Sequence, residues 1–323
     1  MNEPQLQFIS CNDPGGRHTM AYWSWGDVRS EHVVLCVHGL TRQGRDFDEL
    51  ARALLRRSPT PLRIVCPDVV GRGRSDWLAD PQGYQVPQYA SDMLALVARL
   101  RTDAPVRALD YVGTSMGGLI GMVLAGTPAL SSTIGIRRLV LNDVGPVVEP
   151  ASLQRIASYI GRGGRYASLD AAAAALLEIS RGFGPHSKDE WLALSRAMVV
   201  PASHRGEGGR RKSDAEIEDQ AAADESSAGF VLHYDPSLAI AFSQLTPETA
   251  ARGEAVLWGL YDAIAAPTLL IRGAESDLLS RVTAEAMTRR GPQARLVEFD
   301  GVGHAPTFVP VDQSACVAEF LLG

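Results

Sequence analysis

An α/β architecture with a mostly parallel central sheet, helices on both faces and an inserted helical cap is what this 323-residue sequence predicts. Three observations carry that prediction. Apolar runs alternate with helical patterns in the first half of the chain and again near its end. The alternation stops in between, where one helical pattern follows another. A glycine-flanked serine, finally, sits between one apolar run and the start of a helix.

In chain order, residues 6 to 27 read as a leading antiparallel hairpin. The clearest core strands are Val33 to Val37, Leu62 to Cys66, Ala108 to Val112, Arg138 to Asn142, Pro267 to Arg272 and Arg295 to Phe299. They are short and mostly apolar, as strands buried on both faces are. Between them Phe47, Leu50, Ala51 and Leu54 fall on one helical face, and Met93, Leu96, Val97 and Leu100 repeat the spacing.

Residues 146–255 are read as the inserted cap, with 1–145 and 256–323 forming the core. Within the cap Leu153, Ile156, Ala157 and Ile160 make an amphipathic face, and Ser187 with Glu190 forms a capping box ahead of Trp191 and Leu194. No strand is expected there. The stretch 202–229 holds a single large aliphatic residue, Ile217, and reads as a polar mobile loop, with Ser213 and Glu216 as caps of a short helix.

Composition narrows the function. With 46% hydrophobic and 21% charged residues the chain has the makeup of a globular protein with a sizeable core. Its 31 Lys and Arg against 37 Asp and Glu give a net charge of -6, which offers no footprint for nucleic acid or an anionic membrane. The basic run Arg210, Arg211, Lys212 reads as solvated loop. No run approaches the roughly 18 apolar residues of a membrane span, and the first residues lack the pattern of a signal peptide. Cys11, Cys36, Cys66 and Cys316 are scattered without metal-ligand spacing, so buried thiols in a reducing cytoplasm are expected. Neither a metal nor a cofactor is implied. Gly71-Arg72-Gly73-Arg74-Ser75 lacks the third, helix-opening glycine of a dinucleotide site.

The chemistry is carried by Gly113-Thr114-Ser115-Met116-Gly117, a G-x-S-x-G string that follows an apolar strand and opens a helix. A serine hydroxyl at neutral pH needs a base within hydrogen-bond reach and a third group to orient that base. His304 is the candidate base, because Asp300-Gly301-Val302-Gly303-His304 follows a strand in a glycine-rich loop. Two aspartates end strands before it. Asp277 is favoured as the orienting acid and Asp143 is the alternative, since Asp143 precedes Val144-Gly145-Pro146 and could anchor the entry to the cap. Charge developing on a carbonyl oxygen calls for two converging N–H donors. Met116, at a helix N-terminus, supplies one; Leu40, in the turn His38-Gly39-Leu40 after a core strand, supplies the other.

Together these elements resemble the α/β-hydrolase family from about Met20 to Leu322. The resemblance rests on His38-Gly39, on Asp68, Gly71, Gly73 and Ser75, on the elbow Gly113 to Gly117, and on Asp277 with Gly301 to His304. It implies a capped serine hydrolase of the esterase or carbon-carbon bond hydrolase branch. Serine at the elbow separates the chain from branches with an aspartate nucleophile, and Thr114 stands where ring-cleavage-product hydrolases often carry Asn. The expected activity is hydrolysis of small, mostly apolar carboxylic esters through an acyl-enzyme at Ser115. Cleavage of vinylogous 1,5-diketones is the alternative, and a ligand-binding receptor with residual hydrolase activity the second. The expected partner is a small-molecule substrate walled by cap side chains such as Trp258, Ile156 or Tyr159. Oligomeric state is left open.

Overall fold

The strand His32–Val37 explains why the core runs lack polar alternation. Val33, Leu35 and Val37 pack into one apolar core, while Val34 and Cys36 pack into a second on the opposite face, and all five are essentially inaccessible. A computed structural model describes residues 3–204, 229–243 and 247–323.

The main sheet is built from β1 (Gln5–Asp13), β2 (Gly16–Gly26), β3 (His32–Val37), β4 (Arg63–Pro67), β5 (Ala108–Thr114) and β6 (Ile136–Asn142). The chain then leaves the sheet. During that excursion it forms β7 (Arg165–Tyr166), β8 (Val199–Pro201) and β9 (Phe230–Leu232), and it returns with β10 (Thr268–Gly273) and β11 (Arg295–Phe299). The order across the sheet is β1-β2-β4-β3-β5-β6-β10-β11. The leading hairpin is antiparallel and β2 runs antiparallel to β4; every later pairing is parallel.

Helices α1 (Asp48–Arg57), α2 (Val86–Asp103), α3 (Met116–Gly126) and α4 (Pro128–Ile134) lie among the first six strands. The excursion adds α5 (Pro150–Tyr159), α6 (Leu169–Ile179), α7 (Lys188–Arg196), α8 (Leu238–Ser243) and α9 (Pro247–Asp262), and the return adds α10 (Arg281–Met287) and α11 (Val311–Leu322). On one face of the sheet α1 packs against α11 through Leu50, Leu54, Val317 and Leu321. On the other, α2 and α9 pack against α3. Among the described residues, no single helix is long and apolar enough to cross a membrane.

The excursion departs from the expected run of helices. Strands β7, β9 and β8 form a small antiparallel sheet. At two or three residues each they are too short to show any period in the sequence. The capping box at Ser187 and Glu190 is present at the start of α7. Helix α9 runs through residue 256, where the sequence places the return to the core, and Gly126 of α3 allows it close: a Cβ there would lie 2.1 Å from the Leu260 carbonyl oxygen. Most of the stretch 202–229, with Ser213 and Glu216, lies outside the described residues.

The leading hairpin is tied to α2 by a buried histidine. Within a cluster that also holds Cys11, His18 bonds Asp13 through Nδ1 at 2.9 Å and Asp92 through Nε2 at 3.1 Å. Burial pulls the imidazole pKa down, but the hydrogen bonds to Asp92, Cys11 and Asp13 outweigh it and raise it to about 10. A folded pKa above the unfolded value of about 6.5 contributes stability that is complete below about pH 6.5 and is lost as pH rises towards about 10. His18→Gln is therefore expected to lower the free energy of urea unfolding more at about pH 6 than at about pH 10. An equal loss at the two pH values would contradict the assignment.

Candidate active site

Ser115 joins β5 to α3 with φ 52° and ψ -117°, outside the regions that side-chain-bearing residues favour. Such a turn closes only if the flanking backbones approach one another. A Cβ on Gly113 would lie 2.4 Å from the Gly117 carbonyl oxygen, and one on Gly117 would lie 2.0 Å from that of Val37. Both positions are thus restricted to glycine by contact with backbone. The Ser115 N–H donates to Asn142 O at 3.0 Å, which fixes the turn to the end of β6.

The hydroxyl meets His304, whose Nε2 lies 2.9 Å from Ser115 Oγ. On its other side His304 Nδ1 bonds Asp143 Oδ2 at 2.7 Å. The favoured acid of the sequence reading is corrected here, because Asp143, and not Asp277, holds the imidazole. Asp143 follows the last residue of β6 and turns back at φ 54°. It is wholly buried, and its carboxylate also accepts from the Gly273 N–H at 2.9 Å and the Ser276 hydroxyl at 2.6 Å. Asp277 lies four residues beyond the end of β10 and is half-exposed, where Arg155 of α5 clamps it through Nε and Nη2 at 2.6 and 2.8 Å. Burial works to raise the Asp277 pKa, but the Arg155 guanidinium outweighs it and holds the group below the ordinary carboxylate range.

The second expected donor lies beside the nucleophile. A Cβ on Gly39 would be 3.7 Å from Ser115 Cβ, so the Gly39-Leu40 peptide runs against the serine. That peptide is fixed through its carbonyl: Gly39 O accepts from His38 Nδ1 at 2.7 Å and from the Arg42 N–H at 3.1 Å. Because a trans peptide points its N–H opposite its C=O, pinning the carbonyl aims the Leu40 N–H. His38 in turn accepts the Val69 N–H on Nε2 at 2.9 Å, which leaves the proton on Nδ1. Full burial pushes its pKa down to about 3. Met116 opens α3, where the first N–H groups have no intrahelical acceptor. Nucleophile, base and acid therefore form one hydrogen-bonded chain, with the Gly39-Leu40 turn and the start of α3 beside the nucleophile, the elements that acyl transfer uses.

The inserted segment closes on this locus. Gly182 O accepts the N–H of Gly303, next to His304, at 2.6 Å, and a Cβ on Gly182 would lie 3.1 Å from His304 N. His186 Nε2 bonds Thr307 Oγ1 at 2.8 Å. Of the expected cap walls, Ile156 is buried and Tyr159 is partly buried; Tyr159 lies within electrostatic reach of Arg155 and Asp277. Trp258 is instead engaged by Arg290, 3.9 Å over its ring, and by Tyr261. Sequence reasoning passed over Ser276, the tautomer-fixing role of His38, and Gly182. A serine next to a candidate acid and a histidine before the donor turn were the available signals for the first two; a lone cap glycine carries none.

A family model described as alpha/beta hydrolase fold matches residues 32–310. The 3-hydroxybutyrate-oligomer hydrolase of Cupriavidus necator is 46% identical over 320 residues, covering 99% of this chain and 98% of that protein. Among solved structures, an alpha/beta hydrolase from Novosphingobium aromaticivorans shares 33% identity at TM-score 0.75, covering 99% of both chains. E-2-(acetamidomethylene)succinate hydrolase, at 21% identity and TM-score 0.70 over 98% of this chain and 100% of its own, shares the fold.

With Asp143 on the imidazole and Asp277 on Arg155, the two asparagine variants separate. Asp143→Asn is expected to lower kcat by on the order of 10³ to 10⁴, by removing the group that sets the tautomer and stabilises the imidazolium. Asp277→Asn should cost less than about tenfold, since it weakens only an exposed ion pair. Steady-state kinetics on a short aryl ester compare them directly, and the reverse ranking would return the acid to Asp277.

Proposed function

Taking as premise that this chain belongs to the α/β-hydrolase fold family and is a hydrolase, we propose that it cleaves carboxylic esters through an acyl-enzyme on Ser115. One observation carries the reading: the unbroken hydrogen-bonded chain from Ser115 Oγ through His304 to a buried, fully donated Asp143 carboxylate. Ser115 Oγ attacks the ester carbonyl carbon as His304 Nε2 takes its proton. The carbonyl oxygen becomes an oxyanion facing the N–H groups of Leu40 and Met116. Collapse expels the alkoxide, which leaves as an alcohol with the proton from His304. Water, deprotonated by the same imidazole, then attacks the acyl-enzyme and releases the acid, so one ester and one water give one acid and one alcohol. Asp143 holds Nδ1–H towards itself and balances the imidazolium in both halves.

For the substrate, the reading takes its direction from the Cupriavidus necator relative, alike along essentially its whole length. We propose linear oligoesters of a short 3-hydroxy acid, in which every product carries a carboxylate and a hydroxyl. A chain assembled from such units is small in cross-section and mostly apolar between its ends.

Two measurements test this. A fluorescent alkyl phosphonate is expected to label Ser115 alone, and Ser115→Ala to remove both label and turnover by several orders of magnitude while leaving unfolding unchanged. Chromatography of 3-hydroxybutyrate dimer and trimer digests is expected to show monomer accumulating, with kcat/KM above that for simple butyrate esters. Labelling elsewhere would overturn the nucleophile assignment. A higher kcat/KM for a vinylogous 1,5-diketone, with a transient ketonised intermediate in stopped-flow spectra, would overturn the ester reading.

A further inference from the structure

Arg72 is an arginine with no measurable exposure, sitting in the turn between Gly71 and Gly73. A buried guanidinium is costly unless its donors are used, and what they touch is specific. Nε donates to the Leu40 carbonyl at 2.8 Å, Nη1 donates to Val70 O at 2.7 Å, and Nη2 meets Met116 Sδ at 3.4 Å. The Tyr89 and Tyr84 rings cover the group, with centroids 4.9 and 5.8 Å from its carbon. Leu40 and Met116 are the two residues expected to supply the oxyanion-hole N–H groups, and one side chain touches both.

We propose that Arg72 is the positioning residue of the oxyanion hole: its planar fork clamps the Leu40 carbonyl and the Met116 side chain, setting the spacing of the two donors. The proposal rests on the ester-hydrolysis reading. Leu40 is then pinned from both sides, by His38 and Arg42 on the preceding carbonyl and by Arg72 on its own. The guanidinium also places a fixed positive charge behind donors that must stabilise a negative one, in a dry setting where such charges act strongly. Lysine, with a single terminal nitrogen, cannot span two acceptors in one plane.

The turn that aims Arg72 inward is built for the purpose. Gly71 and Gly73 stand at φ +85° and +53°; a Cβ on the first would lie 2.6 Å from the Tyr84 ring, and one on the second 2.3 Å from the Asp68 carboxylate. That carboxylate accepts the N–H groups of Gly44 and Arg74 at 2.7 and 2.8 Å and so locks the turn's base. The inserted segment reaches the same turn. His233 O accepts the Gly73 N–H and the Asp235 N–H donates to Gly71 O, both at 2.8 Å, while Arg72 and Tyr234 form an isolated antiparallel bridge. Docking of the segment after β9 and alignment of the oxyanion donors therefore share one loop.

The test compares wild type with Arg72→Gln and Arg72→Lys, counting competent sites by phosphonate titration so that misfolded enzyme does not contribute. Expected for Arg72→Gln is a loss of ten- to a hundredfold in kcat per titrated site with KM within about twofold. Affinity for an aryl boronic acid, which forms a tetrahedral anion on the serine, should fall by a like factor. That for an unreactive carboxamide of the same shape should hold, and Arg72→Lys should recover part of the loss. Where the glutamine variant does not fold, Met116→Leu keeps volume and N–H but removes the sulfur contact, and it should weaken the boronate more than the carboxamide. A kcat per titrated site within about twofold of wild type, or equal weakening of both ligands, would make Arg72 a packing residue and overturn the proposal. A wild type that neither turns over esters nor takes the phosphonate on Ser115 overturns the ester reading and this proposal with it.

Discussion

Everything near the site answers to the backbone at Ser115, held at a positive φ that costs on the order of 1–3 kcal/mol for a side-chain-bearing residue. That strain lifts the hydroxyl off the carboxyl edge of the sheet, and the surroundings over-determine it. The Ser115 N–H is tied to Asn142, its carbonyl receives the N–H groups of Gly118 and Leu119, and the Asn142 side chain bridges Thr114 to Pro306 in the His304 loop. Three features of the fold, the ends of β5 and β6 and the loop after β11, are thereby locked to one another. Gly113 and Gly117 remain glycine for the same reason: the turn puts foreign backbone where a Cβ would be.

The sheet and its helices were legible because their signal is local. Unbroken apolar runs such as Val33 to Val37 can only be strands covered on both faces, and the predicted face Leu50, Ala51 and Leu54 is the one α1 buries. The elbow was legible for a related reason, since its two glycines and serine are contiguous and their strand-to-helix setting can be read on either side. The acid was not. Asp143 and Asp277 both follow strands that lie side by side in the sheet, and chain order before His304 holds for both. What separates them is burial and donors: Asp143 has three hydrogen-bond donors beside it in a dry site, whereas Asp277 has an arginine from a segment 122 residues earlier in the chain. Each of these partners lies far along the chain from the aspartate it serves, and Ser276 adjoins Asp277 while bonding Asp143.

The inserted segment was legible in its helices and not in its sheet. Strands of two or three residues gain their hydrogen bonds only from one another, and β7 and β9 lie far apart in the chain. The same non-locality hides how the segment is held. Besides the packing of α9 on α3, it is held by hydrogen bonds and an ion pair at Gly182, His186, Arg155 and the turn around Tyr234, and these land on loops of the site rather than on the sheet. The segment is thus fastened to the parts that must be placed most accurately, and its packing and the geometry of the site are one problem.

Two buried basic side chains beside the nucleophile divide the work by charge. His38 is driven neutral, with a pKa of about 3, so it presents one fixed tautomer, accepting from Val69 and donating to Gly39. A second proton would have to displace the Val69 N–H, which is why a group with an ordinary pKa near 6.5 can act here as a rigid strut through the neutral range. Arg72 brings a planar guanidinium against the Leu40 carbonyl and the Met116 sulfur. The two meet the donor turn on successive carbonyls, Gly39 and Leu40. A backbone N–H cannot be steered by a side chain of its own, so its direction is set through the carbonyls that flank it, and this site uses both.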